Sequence, residues 1–340
     1  MIVFIFVVII FLLLILPHEL GHFFAAKASG MRVERLSLGF GPKLWGIKRG
    51  ETEYIISAFP LGGYTKIAGM QPGEYKTENG FYSKPLRSKV AVLVAGSAMN
   101  FLVSILLFSL IFIIGFQTAD LKTPVVGGIV PNSPAQRAGI KPGDRIISIN
   151  NHKIEKWQQM ASLIQKEKGK LNLVILRGKK TITVELEPKY YPEYKRKLIG
   201  ISPSIKYVRY DPLTSIGLGA KRVAFLTGFI FITLKDMVMG KVPVQFAGPV
   251  GIVEYVGEAT KLGIVPFLSL AALLGINLGL FNLFPIPALD GGRILFLIIE
   301  AIRKKPMKIE IQEFVHYIGF LILISLMLLV TYQDILRLVR

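Results

Sequence analysis

The sequence predicts a polytopic α-helical membrane protein with four transmembrane helices. A β-hairpin loop follows the first of them and an α+β domain is inserted after the second. Three observations predict this. Of 340 residues 52% are hydrophobic and the mean hydropathy is +0.52, higher than an ordinary soluble chain carries. The apolar residues gather into stretches of about 20, the length that crosses hydrocarbon at ~1.5 Å per residue. Between them lie polar, basic segments with the patterning of strands and turns.

The elements follow in order. Residues 1–28 are the first span, in which the apolar run Ile2 to Leu16 leads into His18-Glu19-Leu20-Gly21-His22. The run lacks a basic start and a small-residue cleavage site, and cleavage would discard the histidines, so it reads as a retained span rather than a signal peptide. Residues 29–88 form a basic loop. Within it Leu44 to Ile47 and Tyr54 to Ala58 flank Lys48-Arg49-Gly50-Glu51, a hairpin signature. Pro60-Leu61-Gly62-Gly63-Tyr64 follows, suited to backbone lying close to a membrane face or another backbone.

Residues 89–117 are the second span. From 122 to 188 the chain reads as a small soluble domain: strands at Val125 to Val130 and Arg145 to Asn150, a helix from Trp157 to Lys166, and a hairpin of Leu171 to Arg177 with Thr181 to Glu187. Residues 189–262 are expected to be a linker with interfacial amphipathic helices. Their apolar core, Val223 to Leu234, covers only about 18 Å and is flanked by Lys221, Arg222, Lys235 and Asp236. Residues 263–301 form a third span interrupted by Pro285 and Pro287, and 312–334 a fourth.

The chain carries 41 Lys and Arg against 22 Asp and Glu, a formal charge of +19. The basic residues cluster beside apolar spans, as positive-inside loops do, and in the insert. With no RNA-binding aromatic pattern and no basic recognition helix, nucleic acid is excluded as the expected partner. Cysteine is absent, which excludes a disulfide framework and thiolate metal ligation.

HExxH on a helix places two imidazoles one turn apart on one face, with the Glu beside the metal to activate water. Two His and a Glu in hydrocarbon are costly, so function outweighs the alternative of a packed His pair. A catalytic zinc site needs three protein ligands and an open position. His152 and His316 have no matching motif, which leaves Asp290, within Asn282-Leu-Phe-Pro285-Ile-Pro287-Ala-Leu289-Asp290-Gly291-Gly292, as the third candidate. Irregular backbone at membrane depth is tolerated where it lines a protein cavity, although Asp290 capping a helix after a kink is an alternative.

Depth tests the pairing. His18 lies about 24 Å beyond the start of its span, and Asp290 is similarly deep in the third. They meet if both helices enter from one side, which requires a single crossing between them. Residues 216–239 should then not cross. The positive-inside rule puts residues 29–88 and Arg303-Lys304-Lys305 in the cytoplasm, with both termini and the insert outside.

Val130-x-x-x-Ser133-Pro134-Ala135-x-x-Ala138-Gly139-Ile140-x-x-Gly143-Asp144 resembles a PDZ domain, a module that takes an extended peptide as an added strand; a spacer or steric plug is the alternative. Linked motifs run in one order along the chain: His18-Glu19-x-x-His22-Phe23, Gly39-Phe40-Gly41, Pro60-Leu61-Gly62-Gly63-Tyr64 and Gly96-x-x-x-Asn100-Phe101. The PDZ-like segment, Gly248-Pro249-Val250-Gly251-Ile252 and Asn282-x-x-Pro285-x-Pro287-x-Leu289-Asp290-Gly291 complete the series. Together they resemble the site-2 protease family, of the bacterial RseP/RasP type, over essentially the whole chain.

The resemblance implies an intramembrane zinc metalloendopeptidase of the bacterial inner membrane. One Zn2+ is held by His18, His22 and Asp290, with Glu19 as general base. It makes residues 29–88 a membrane-associated β loop whose Gly62, Gly63 and Tyr64 region pairs with an unwound substrate strand. Asn282 would contact substrate, unless it only satisfies freed backbone in the broken helix. Substrates would be single-span membrane proteins, such as anti-sigma factors or signal-peptide remnants, first trimmed by a site-1-type protease. The chain departs from longer relatives in having one PDZ-like domain, and Pro17 is outside the family pattern. Two other classes stay open: a PDZ-bearing scaffold with a structural metal, and a transporter, against which the lack of an internal repeat counts.

Overall fold

The computed structural model describes residues 2–339 apart from 72, 75, 168, 244–246 and 306. The expectations for Met1 in the first span and for 244–246 in the linker fall outside the described residues. The chain forms two compact units, one made of the residues up to Ile114 together with those from Tyr210 onward, the other Gly115–Arg209.

In the first unit, helix α1 (Ile2–Ala28) is apolar around its whole circumference and continues through Pro17. Gly30, at φ 65°, ends it: the Gly30 N–H donates to Lys27 O and the Met31 N–H to Ala26 O, which uses up orphan carbonyls of the last turn. Strands β1 (Val33–Arg49) and β2 (Thr52–Ile67) form an antiparallel hairpin. Its register folds the pair further. Arg35–Leu38 has partners on both sides, Gly63–Lys66 and Glu53–Ile56, so residues 63–67 form one margin of the sheet and 43–49 the other. Val33, Leu36 and Ile67 pack with Phe23 and Ala26 of α1, with Met31 just beyond it, and with Val92 and Leu93 of helix α2 (Leu86–Ile114). The 43–49 margin exposes Leu44, Trp45 and Ile47.

The second unit has its own core. Strands β3 (Phe116–Ala119) and β4 (Val126–Ile129) lead to helix α3 (Pro134–Arg137), strands β5 (Arg145–Ile149) and β6 (His152–Lys153), and helix α4 (Trp157–Lys166). Strands β7 (Leu171–Arg177) and β8 (Lys180–Leu186) complete a four-stranded sheet of order β6-β5-β7-β8. Then come β9 (Lys189–Tyr191), β10 (Arg196–Leu198), β11 (Ile201–Pro203) and β12 (Ile205–Val208); β10 pairs with β9, β11 with β4 and β12 with β3. Ile146, Ile149, Met160, Leu171, Leu173 and Ile175 are fully buried between the sheet and α4.

The PDZ-like motif has local causes here. Ser133 Oγ accepts the Gln136 N–H as the cap of α3, with Pro134 at its first position. Buried Asp144 accepts both Nε and Nη2 of Arg177 at 2.8 Å and the Lys141 N–H at 2.8 Å. The unit runs on to Arg209, so β9 to β12 belong to it, whereas the sequence placed residues 189–208 in the linker. Strands of three or four residues are too short for alternation to mark them.

Back in the first unit, helix α5 (Pro212–Val238) extends well beyond the short apolar core that the sequence marks. It has 27 residues, because Asp211 caps it twelve residues before Val223, where the apolar core begins, its Oδ1 accepting the Thr214 N–H at 3.0 Å. Helices α6 (Pro249–Leu262), α7 (Ile264–Asn282), α8 (Asp290–Arg303) and α9 (Ile309–Val339) follow. Among the described residues five helices, α1, α2, α5, α7 and α9, are by length and composition able to cross a membrane, so the expected count of four is not confirmed. The relative direction of α1 and α7 is what the depth argument requires. Phe6 meets Phe267, Leu14 meets Gly275 and His18 meets Asn282, so the two helices run parallel. Between them, α7 presents Ala271, Ala272, Gly275 and Gly279 to α2. This small-residue stripe lets the backbones approach until Ser104 Oγ reaches Ala272 O at 2.9 Å.

Candidate metal centre

His18 and His22 lie one turn apart on α1, 9% and 8% exposed. Their neighbour across the interface is α2, and two glycines make the room. A Cβ on Gly21 would fall 2.3 Å from Ala95 O, and one on Gly96 would fall 2.4 Å from His22 Nε2 and 2.7 Å from His18 Cε1. Any larger residue at either position would drive the helices apart.

Asp290 arrives from the break between α7 and α8. After Asn282 the chain turns through Leu283, Phe284 and Ile286, and Ala288 takes φ 77°, a left-handed conformation that a residue with a Cβ adopts only under constraint. Gly291 and Gly292 supply the constraint. A Cβ on either would lie 2.2–2.4 Å from the carbonyl oxygens of Phe284 and Ile286, so the turn folds flat onto the first turn of α8. Asp290 is thereby fixed as the first residue of that helix, where the free N–H groups favour a carboxylate.

The three side chains converge. His18 Nε2 is 3.1 Å from His22 Nε2, and Asp290 Oδ2 is 3.3 Å and 3.2 Å from them. Donor atoms at ~2.0–2.1 Å around a tetrahedral ion stand about 3.3–3.4 Å apart, so the triangle has the dimensions of three zinc ligands. The chemistry also fits. His22 Nδ1 donates to Val92 O at 2.8 Å, which leaves a lone pair on the Nε2 of a neutral ring facing the carboxylate oxygen. Two lone pairs 3.2 Å apart repel unless a cation lies between them. His18, His22 and Asp290 are accordingly a group that could hold a metal ion.

Glu19 lies beside the triangle. Thr65 Oγ1 is 2.8 Å from its Oε2 and 2.9 Å from its backbone O, anchoring β2 to α1. Gly63, two residues earlier on the same face of β2, is so close that a Cβ would come within 3.2 Å of Glu19 Cγ. Asn282 Nδ2 is 3.5 Å from His18 Nε2. The structure thus gathers His18, Glu19, His22, Gly63, Asn282 and Asp290. It does not gather Gly62 and Tyr64, which face Phe40. A Cβ on Gly62 would overlap that ring, and Tyr64 stacks on it at 6.4 Å while its hydroxyl accepts from Arg35 Nη1. The sequence reading gave no role to Thr65, Val92 or Asn100. Thr65 was reachable through the two-residue period that puts it on the face of Gly63, and Asn100 as a polar residue inside an apolar span. Val92 acts through its carbonyl and leaves no signal.

The family model for peptidase family M50 matches residues 6–326. The chain belongs to peptidase family M50. This is the site-2 protease family that the motifs resemble. The M50 chain is 36% identical to a Clostridium acetobutylicum protein provisionally named a zinc metalloprotease, with 96% of each chain covered. It is 30% identical to the regulator of sigma-W protease RasP of Bacillus subtilis, covering 97% of each. It is also 30% identical to the zinc metalloprotease RasP of Bacillus licheniformis, covering 97% of this chain and 98% of that one. Among solved structures, the PDZ domain of an SdrC-like protein from Listeria monocytogenes matches 25% of the M50 chain and 92% of its own, at 17% identity and a TM-score of 0.23.

Proposed function

We propose that this protein is an intramembrane zinc endopeptidase that cuts the transmembrane segment of membrane-anchored, single-span proteins. The observation that carries the reading is the His18–His22–Asp290 triangle with Glu19 at its side, built inside a bundle of membrane-length helices. Zinc held by the three side chains would supply Lewis acidity, polarising a carbonyl and lowering the pKa of water toward ~7.

The remaining chemistry belongs to the chain. Glu19 takes a proton from the attacking water and passes it to the leaving amine, with Thr65 holding one carboxylate oxygen in place. Asn282 contacts the substrate backbone next to His18. A helical substrate hides its carbonyls in hydrogen bonds, so the scissile stretch must first unwind. The 63–67 margin of the β1–β2 sheet, anchored against Glu19, supports a role in holding the unwound stretch as an added strand.

Substrates of this kind, such as anti-sigma factors or signal-peptide remnants, would be trimmed beforehand by a site-1-type protease. The PDZ-like unit would exclude untrimmed proteins or hold the new C-terminus. A cavity of about 490 Å³ between α4 and the segment Leu198–Pro203 supports the second role. The protein is a multi-pass protein of the bacterial inner membrane. We place residues 29–88 in the cytoplasm and the PDZ-like unit and both termini outside it.

The test is cleavage of candidate single-span substrates by wild type and Glu19→Gln. The variant should bind zinc as the wild type does and release no product. Product formation by Glu19→Gln would remove the assignment.

A further inference from the structure

His22 has an evident partner for its second nitrogen, the Val92 carbonyl. His18 needs one too. If it holds the metal through Nε2, as the proposed function requires and on which this inference rests, its Nδ1 carries the ring proton and must donate it. The polar group at that position is the Asn100 carboxamide on α2, with Nδ2 3.3 Å from His18 Nδ1. In that orientation two donors face each other. Asn100 Oδ1, in a side chain only 1% exposed, meanwhile has no hydrogen-bond partner among the described residues. A half-turn of the amide removes the clash of donors and gives Oδ1 a partner, since the two ends of a carboxamide have nearly the same shape and differ only in hydrogen-bonding character.

We propose that Asn100 is the positioning residue of His18, its Oδ1 accepting the Nδ1–H and so fixing the tautomer that aims Nε2 at the zinc. The placement follows from helix geometry. Val92, Gly96 and Asn100 recur every four residues along one face of α2, antiparallel to His22 and His18 on α1. Val92 orients one imidazole, Gly96 leaves space for both, and Asn100 orients the other. One helix thereby sets the ring orientation of both histidines without itself supplying a ligand.

The test compares full-length wild type, Asn100→Leu, Asn100→Ala and Asn100→Asp by zinc content and by zinc transfer to a competing chelator, with thermal unfolding of the metal-free proteins as a control. Leu keeps the volume without an acceptor, Ala tests the same loss if Leu does not fold, and Asp restores the acceptor. The folded Leu or Ala variant should hold zinc about 10–100-fold more weakly, and Asn100→Asp should recover affinity to within a few-fold of wild type. Wild-type affinity in Leu or Ala, or loss in Asp equal to theirs, would overturn the inference alone. A wild type that takes up no zinc would overturn the proposed function and the inference together.

Discussion

Thr65 has one hydroxyl hydrogen to give to Glu19, its Oγ1 lying 2.8 Å from Oε2 and 2.9 Å from the backbone O. A hydrogen bond to a charged group contributes about 1.5–3 kcal/mol, so Thr65→Val, which keeps the shape and removes the donor, should lower kcat roughly 10–100-fold. Zinc content should be unchanged, because Thr65 contacts none of the three ligand side chains; a parallel loss of metal would show that it acts on the fold. Legibility at this scale follows how strictly the chemistry dictates side-chain type. The proposed ligands and base, His18, His22, Asp290 and Glu19, stand out in the sequence because metal ligation and proton transfer admit few residue types. Thr65 does not, because threonine is common in strands for reasons of packing. Val92 could not, because its contribution would be the same with any side chain that fits.

At the scale of elements, position depends on what glycines allow. A Cβ on Gly279 would lie 3.1 Å from Ser97 O and 3.4 Å from Asn100 Cβ, so Gly279→Leu should push α7 off α2. Asn282, less than one turn beyond, would move with it. The expected result is a loss of at least tenfold in kcat/KM, since misplacement by about 1 Å costs around 10²-fold. Zinc binding should suffer less, as α7 provides no ligand; a leucine variant with full activity would show that the α2–α7 contact does not position the site. The break at Pro285 and Pro287, the hairpin about Gly50 and helix α4 were all legible from turn residues and periodicity. That α5 is apolar enough over its length to cross a membrane was not. Its first half mixes Thr214, Ser215, Gly217 and Gly219 among apolar residues, a composition that weakens the hydropathy signal, while Gly219 is the residue that fits against Ser109 and Ile105 of α2.

For the whole molecule, the triangle joins two helices distant in the chain, α1 and α8, and both lie in the first unit. The Gly115–Arg209 unit has a separate buried core. Zinc that binds only the folded state stabilises it by about 4 kcal/mol when present at ~1,000 times its dissociation constant. Chelation should therefore lower the melting temperature of the helical unit and leave a second transition, that of the PDZ-like unit, where it was. A common shift of both transitions would show that the units unfold as one. The division into a helical part and an insert was legible from hydropathy alone, whereas the insert's last strands were hidden by their brevity. The late position of Asp290 has a consequence for biosynthesis. While the polypeptide is still emerging from the ribosome, its two histidines are already in the bilayer, but the carboxylate that completes the cage has not been translated. On the proposed function, a nascent molecule would be inert until the segment carrying Asp290 has been made.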